Sequence, residues 1–215
     1  YTSREQGTTN TKPLIITENT STAPVVGNSY WTQLGSDING ESTDDELGYS
    51  LSLSSDGTII AIGAPYDDAT DANAGHVRVY QYSNSAWTQL GSDIDGAGYN
   101  DRSGHAVSLS SDGSIVAIGS PNNNNDGGSY AGHVRVYQRD ESNTTVDPIG
   151  WTQLGSDIQG ANAYDESGWS VSLSSDGSIV AVGVHQGDGT TGNTSDQRGH
   201  VAVYQYSNSA WTQLG

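Results

Sequence analysis

Asp67, Asp68 and Asp71 crowd into the segment PYDDATDANAG (65–75). Carboxylates at such short spacing are what a hard cation such as calcium collects, so these three are the candidate metal ligands. Two further segments carry related chemistry. PNNNNDGGSYAG (121–132) offers Asn123, Asn124, Asp126 and Tyr130, and HQGDGTTGNTSDQRG (185–199) offers His185 and Asp188. Together with Tyr66 they form the candidate binding set. Carboxylates, amides and phenols suit a cation, a glycan or the basic residues of a protein partner, and they equally suit plain solvated turns. Asp45, Asp101 and Asp165 recur at one position ahead of a glycine and read as backbone caps. Glycoside chemistry needs two facing carboxyls. Convergence of Asp67, Asp126, Asp165 and Asp188 within about 10 Å would favour it, and dispersal would favour binding or assembly.

Other catalytic signatures are missing. His76, His133 and His200 follow glycine at one repeated position and read as structural, which leaves His105 and His185 as single histidines. No H-E-x-x-H, G-x-S-x-G or P-loop pattern occurs. GDGTTG (187–192) has the letters of a dinucleotide-binding turn, but the strand pattern GHVAVY follows where the pyrophosphate needs a helix N-terminus. The expectation is a non-enzyme, with no cofactor beyond calcium at the loop carboxylates. Twenty-five acidic against seven basic residues give a net charge of -18, which repels a phosphate backbone and argues against nucleic acid as a partner. No apolar run approaches the roughly 20 residues of a membrane-spanning helix, so membrane insertion is not expected. The absence of cysteine excludes disulfides and thiolate chemistry.

The elements that must position these loops come from a repeat. The phrase WTQLGSDI starts at Trp31, Trp87 and Trp151, and WTQLG starts again at Trp211. Each copy leads through a loop to an alternating run, YSLSLS (49–54), HAVSLS (105–110) or WSVSLS (169–174). An Asp-Gly turn follows, at Gly57, Gly113 and Gly177, where glycine tolerates the positive φ a tight hairpin demands. Next come TIIAIGAP, SIVAIGSP and SIVAVGVH, apolar runs expected of strands buried on both faces. The variable loops named above then lead to GHVRVYQ or GHVAVYQ.

Four strands in about 60 residues, joined as hairpins and repeated end to end, make a propeller blade. With 33% hydrophobic residues, 28 Gly, 12 Tyr, 5 Trp and no Phe or Met, the composition agrees with short strands and many turns. The expected fold is therefore an all-β propeller of four-stranded antiparallel blades, with units at 31–86, 87–150 and 151–210 and the start of another at 211–215. Residues 1–30 read as a Thr/Ser-rich linker or degenerate blade. WTQL is expected as the outermost strand, its Trp a plate covering the flank of the blade. If Trp87 is buried there, Trp87→Ala should cost about 3–5 kcal/mol.

SGHAVSLSSDGSIVAIGSP and LGYSLSLSSDGTIIAIGAP, each leading to GHVRVYQ, resemble the FG-GAP repeats of integrin α-subunit propellers and their relatives in secreted microbial and algal proteins. Gly63-Ala64-Pro65 is the namesake tripeptide, and Gly119-Ser120-Pro121 is a near match. The resemblance spans about residues 31–215. It implies an extracellular, cell-surface propeller used for adhesion or recognition, with a protein or a cell-surface glycan as partner. Two positions depart from the family. Leu47-Gly48, Ser103-Gly104 and Ser167-Gly168 stand where the family has Phe-Gly, and its calcium loop D-x-D-x-D-G is reduced to S-S-D-G. Two or three residues cannot wrap a cation that needs about six oxygens.

Three units cannot close a ring of about four to eight blades. The chain begins without Met and ends in mid-phrase, so we expect a processed or truncated chain whose parent continues, or further chains that complete the assembly. Asn19, Asn143 and Asn193 stand in N-x-[ST] sequons and are the candidate glycosylation sites. The two function classes carried forward are a structural or adhesive interaction module and a glycan-binding or glycan-processing propeller.

Overall fold

The computed structural model describes residues 31–187 and 197–215. The expectations for residues 1–30, Asp188, Asn19 and Asn193 therefore lie outside the described residues. Within them the chain forms fourteen strands and no helix. The first sheet holds β1 (Ser50–Leu53), β2 (Ile59–Ala64) and β3 (His76–Ser83), and the outer edge of β3 is shared by β4 (Ala86–Gln89) and β5 (Ile94–Asp95). The second repeats this with β6 (Ala106–Leu109), β7 (Ile115–Ser120), β8 (His133–Arg139), β9 (Trp151–Gln153) and β10 (Ile158–Gln159). The third holds β11 (Ser167–Leu173), β12 (Ile179–Val184), β13 (His200–Ser207) and β14 (Ala210–Gln213). Every pairing within the three sheets is antiparallel, and together they form a partial β-propeller.

The sheets run out of phase with units opened at Trp. The Trp87 strand pairs with β3, which precedes it, so a boundary at residue 87 cuts the first sheet between its third and outermost strands. The first copy of the phrase, 31–34, forms no strand.

The Asp-Gly turns behave as their chemistry dictates. Gly57, Gly113 and Gly177 have φ of 72°, 73° and 71°. Asp56 Oδ1 accepts from Ser54 Oγ and from both the N–H and the hydroxyl of Thr58, and Asp112 and Asp176 repeat this with serines. Hydrogen bonds to the charged form hold the Asp176 carboxyl down at about 2.

The repeated phrase is a coupling device between successive units. Trp87 Nε1 donates to the Leu34 carbonyl at 2.9 Å, Trp151 to Leu90 at 3.0 Å and Trp211 to Leu154 at 2.8 Å. The glycine after each Leu leaves room for the incoming ring: a Cβ on Gly35 or Gly155 would lie 3.0 or 3.1 Å from the Trp Cδ1, and one on Gly91 only 2.8 Å from Trp151 Nε1. Gln33, Gln89 and Gln153 donate to Asp37, Asp93 and Asp157 four residues on, closing the turn that splits the outer strand. The Trp ring is thus a plug for its neighbour's turn, and its burial is graded. Trp31 is 90% exposed, Trp87 and Trp211 are half-buried, and Trp151 is 1% exposed.

Face-to-face packing of the sheets supplies two hydrophobic cores. Ile59, Val77 and Val79 meet Val107, Leu109, Val116, Ile118 and Trp151 in one; Val134, Val136 and Ile158 meet Val180 and Val182 in the other. The glycine of each G-[AS]-P tripeptide permits this approach. A Cβ on Gly63 would lie 2.0 Å from the Gly104 carbonyl oxygen, and one on Gly119 2.0 Å from that of Gly168. Gly104 and Gly168 repeat the position of Gly48, so this glycine of one sheet touches the G-[AS]-P glycine of the sheet before it. The first strands are also tied together, since Leu109 N–H donates to Ser52 Oγ and Leu173 N–H to Ser108 Oγ, both at 3.0 Å.

Candidate functional site

The long loops interlock in pairs at one end of the sheets. Asn100, Arg102 and Ser103 donate backbone N–H groups to Ala72, Asn73 and Ala74, and Tyr164, Glu166 and Ser167 donate to Ser129, Tyr130 and Ala131. In the first two sheets the loop between the second and third strands is thereby sewn to the loop that leads into the next sheet. Non-glycine residues take positive φ here, including Arg102 and Tyr130 at 55° and Tyr164 at 68°. Such strain persists only where the surrounding structure over-determines it.

A row of aromatic rings crosses the face. Tyr66 meets Tyr49 edge-on at 6.0 Å, Tyr49 meets His105 at 5.1 Å, His105 meets Trp169 at 4.6 Å, and Trp169 stacks on His185 at 4.3 Å. Tyr49, His105 and Trp169 hold the same repeat position, immediately before or within the first strand of successive sheets. A carbonyl can only accept, so the 3.3 Å contact of His105 Nδ1 with Trp169 O places a proton on Nδ1 and leaves Nε2 to accept from Tyr49 Oη, also at 3.3 Å. Burial pulls the His105 pKa down, which agrees with a neutral ring. Arg102 lies over the Tyr66 ring at 5.0 Å, and His185 pairs with Glu166 at 3.1 Å. A second stack, Tyr130 on Tyr164 at 5.8 Å, receives a hydrogen bond from Asn100 Nδ2 to Tyr130 Oη. Trp169, Tyr49, Tyr164 and Tyr99 remain 38–67% exposed.

The expected site residues divide by this geometry. Tyr66 and His185 join the ring row, and Tyr130 joins the second stack. Asn124 Oδ1 accepts from Tyr130 N–H at 2.9 Å, Asn123 is half-buried, and Asp126 is exposed. Asp67, Asp68 and Asp71 each accept a backbone N–H of their own loop, from Ala69, Asn73 and Ala72, and Asp67 is buried. Asp45 and Asp165 likewise accept the Ser42 and Asn162 N–H groups. Among the described residues, the only group of three or more metal-ligating side chains is His76, Asp93 and Asp95, and it contains none of the loop carboxylates named from sequence.

Asn143, a candidate glycosylation site, is engaged by its own loop. Its Nδ2 donates to Val146, Pro148 and Trp151 carbonyls at 2.8, 3.1 and 2.7 Å, and its Oδ1 accepts from Val146 N–H. The side chain organises the inserted loop. Tyr49, His105, Trp169 and Tyr164 were not among the expected site residues. The residue three before S-L-S is a ring in all three copies, a signal the sequence does carry.

Residues 39–80 match the FG-GAP repeat family. No curated protein sequence matches the chain. Among solved structures, the hydrazine synthase of Kuenenia stuttgartiensis is similar over 83% of this chain and 38% of its own, with 11% identity and a TM-score of 0.44. A Bacteroides uniformis protein with a provisional assignment as a 6-phosphogluconolactonase is similar over 78% of this chain and 56% of its own, with 10% identity and a TM-score of 0.39. This chain therefore spans less than two thirds of either protein.

Proposed function

Because the chain carries an FG-GAP repeat on a partial β-propeller, we infer that it is a protein-interaction module acting at the cell surface or outside the cell, in adhesion. The observation that carries this reading is the face of interlocked loops with its ring row from Tyr66 to His185. Partly exposed Tyr and Trp side chains held in fixed orientation bring large contact area at little entropic cost, which is why such residues concentrate binding energy at interfaces. The loop carboxylates are engaged by their own backbone, which favours recognition over acid-base chemistry. Trp169 is stacked by His185, so a sugar finds that ring face already covered, which favours a protein partner.

Partners of a second kind are further repeats or other chains that complete the assembly. The Trp-to-Leu-Gly coupling gives the rule by which they would add, with the carbonyl of Leu214 as the next acceptor.

The test is binding of the fluorescently labelled chain to cells before and after surface treatment. Binding lost on protease treatment supports a protein partner, whereas binding lost only on periodate oxidation supports the glycan alternative. A Tyr49→Ala, Tyr164→Ala, Trp169→Ala variant that stays folded and binds unchanged would remove the face from the reading.

A further inference from the structure

We propose that His76, Asp93 and Asp95 hold a single divalent transition-metal ion, of the zinc type, where β3 meets the split outer strand of the first sheet. His76 is 1% exposed, and neither ring nitrogen makes a hydrogen bond. A buried imidazole with no partner is an anomaly that demands a ligand. Its nearest neighbour is Asp67 Oδ1, 3.1 Å from Nδ1, close enough for attraction yet off the line that a hydrogen bond requires.

The strand ladder builds the rest of the set. His76 stands directly opposite Asp95 in register, and Asp93 and Asp95 flank Ile94, whose side chain is in the core. Alternate residues share one side of a strand, so both carboxylates turn away from the core together. One nitrogen and two carboxylate oxygens from these residues lie within 4.8 Å of one another.

The donor types choose the ion. An imidazole nitrogen with two carboxylates suits zinc and its neighbours, whereas calcium asks for six or more oxygens. Asp67, 3.1 Å from His76 Nδ1, is a further carboxylate beside the set. Asp93 is itself held by Gln89 Nε2 at 2.6 Å and by Arg78 at 2.7 Å. The Arg78 guanidinium, also paired with Glu41, competes for that carboxylate and keeps the affinity moderate.

The second sheet is a built-in control. His133 occupies the same place and is equally buried, but Gln159 stands opposite it where the first sheet has Asp95, and Asn123 replaces Asp67. One site per chain is therefore expected.

Equilibrium dialysis of the full chain against zinc or cobalt(II), with the visible cobalt spectrum as the signature of low-coordinate nitrogen and oxygen ligation, tests this. One ion per chain is expected, with uptake weakened at least tenfold in Asp95→Gln, which copies the second sheet, and in His76→Gln. His133→Ala and His185→Ala should leave uptake unchanged. No uptake by the native chain would overturn the proposal, as would uptake that survives Asp95→Gln in a variant whose circular dichroism shows it folded. Loss of uptake in His185→Ala alone would place the ion on the exposed His185–Glu166 pair and overturn it equally.

Discussion

The second and third sheets are written in nearly the same words and live in different surroundings. IVAIGS in β7 is buried along almost its whole length, because the first sheet covers one face and the third covers the other. IVAVGV in β12 alternates between buried and half-buried residues, and β13 is mostly exposed where its counterpart β8 is mostly buried. A blade of this kind is a half-product. Its apolar residues face two ways, and each face contributes stability only when a neighbouring sheet removes it from water.

The largest break in that comparison comes from the tryptophans. Trp151→Ala removes a ring that is part of the core between the first two sheets and should cost about 3–5 kcal/mol. Trp211→Ala, at the half-buried copy of the same position, should cost about 1–2 kcal/mol, and Trp31→Ala should stay within about 0.5 kcal/mol. The large penalty expected for Trp87 belongs instead to Trp151, because Trp87 is only half-buried. Denaturant unfolding of the variants would check the series, and equal losses at Trp151 and Trp211 would contradict the assigned burial.

The glycines sharpen the same contrast at slightly smaller scale. A Cβ on Gly119 would meet the Gly168 carbonyl oxygen of the next sheet at 2.0 Å, and backbone cannot step aside without parting the sheets. Gly119→Ala should therefore cost about 3 kcal/mol. At Gly183 the only comparably close atom is Ser170 Oγ at 2.2 Å, which can rotate away, so Gly183→Ala should cost less than about 1 kcal/mol. Thermal unfolding of the two variants distinguishes them.

What the sequence disclosed follows the range of the interactions concerned. Alternating runs, Asp-Gly turns and the grouping of long loops are local signals, and the strands, turns and interlocked loop face are found where those signals stand. The phase of the sheets was hidden because the Trp87 strand could pair forward or backward, and only the register with β3 decides. The ring row was hidden for a similar reason. Tyr49, His105 and Trp169 are 56 and 64 residues apart in the chain and about 5 Å apart in space. Asp67 looked like a free ligand from its acidic neighbours, yet its carboxylate is buried and accepts Ala69 N–H. Composition reports which polar groups are present, and burial decides which of them remain available.

The histidines of the third strands give the finest division between the two sheets. His133 is buried in the second sheet, while His200 at the same place in the third is exposed. Burial, then the nearby Arg135 charge, hold the His133 pKa down at about 4 against an ordinary value of 6.5. Its folded form thus binds protons less readily than its unfolded form. The stability this neutral ring allows is present in full above pH 6.5, erodes as the pH falls through the window from 6.5 to about 4, and changes no further below it. Over that window the loss is at most about 3 kcal/mol. His133→Gln should flatten the stability profile between pH 6.5 and 4. Denaturant midpoints measured at half-unit pH steps would show the difference, and a slope untouched by His133→Gln would mean that water reaches the second sheet's third strand as freely as the third's.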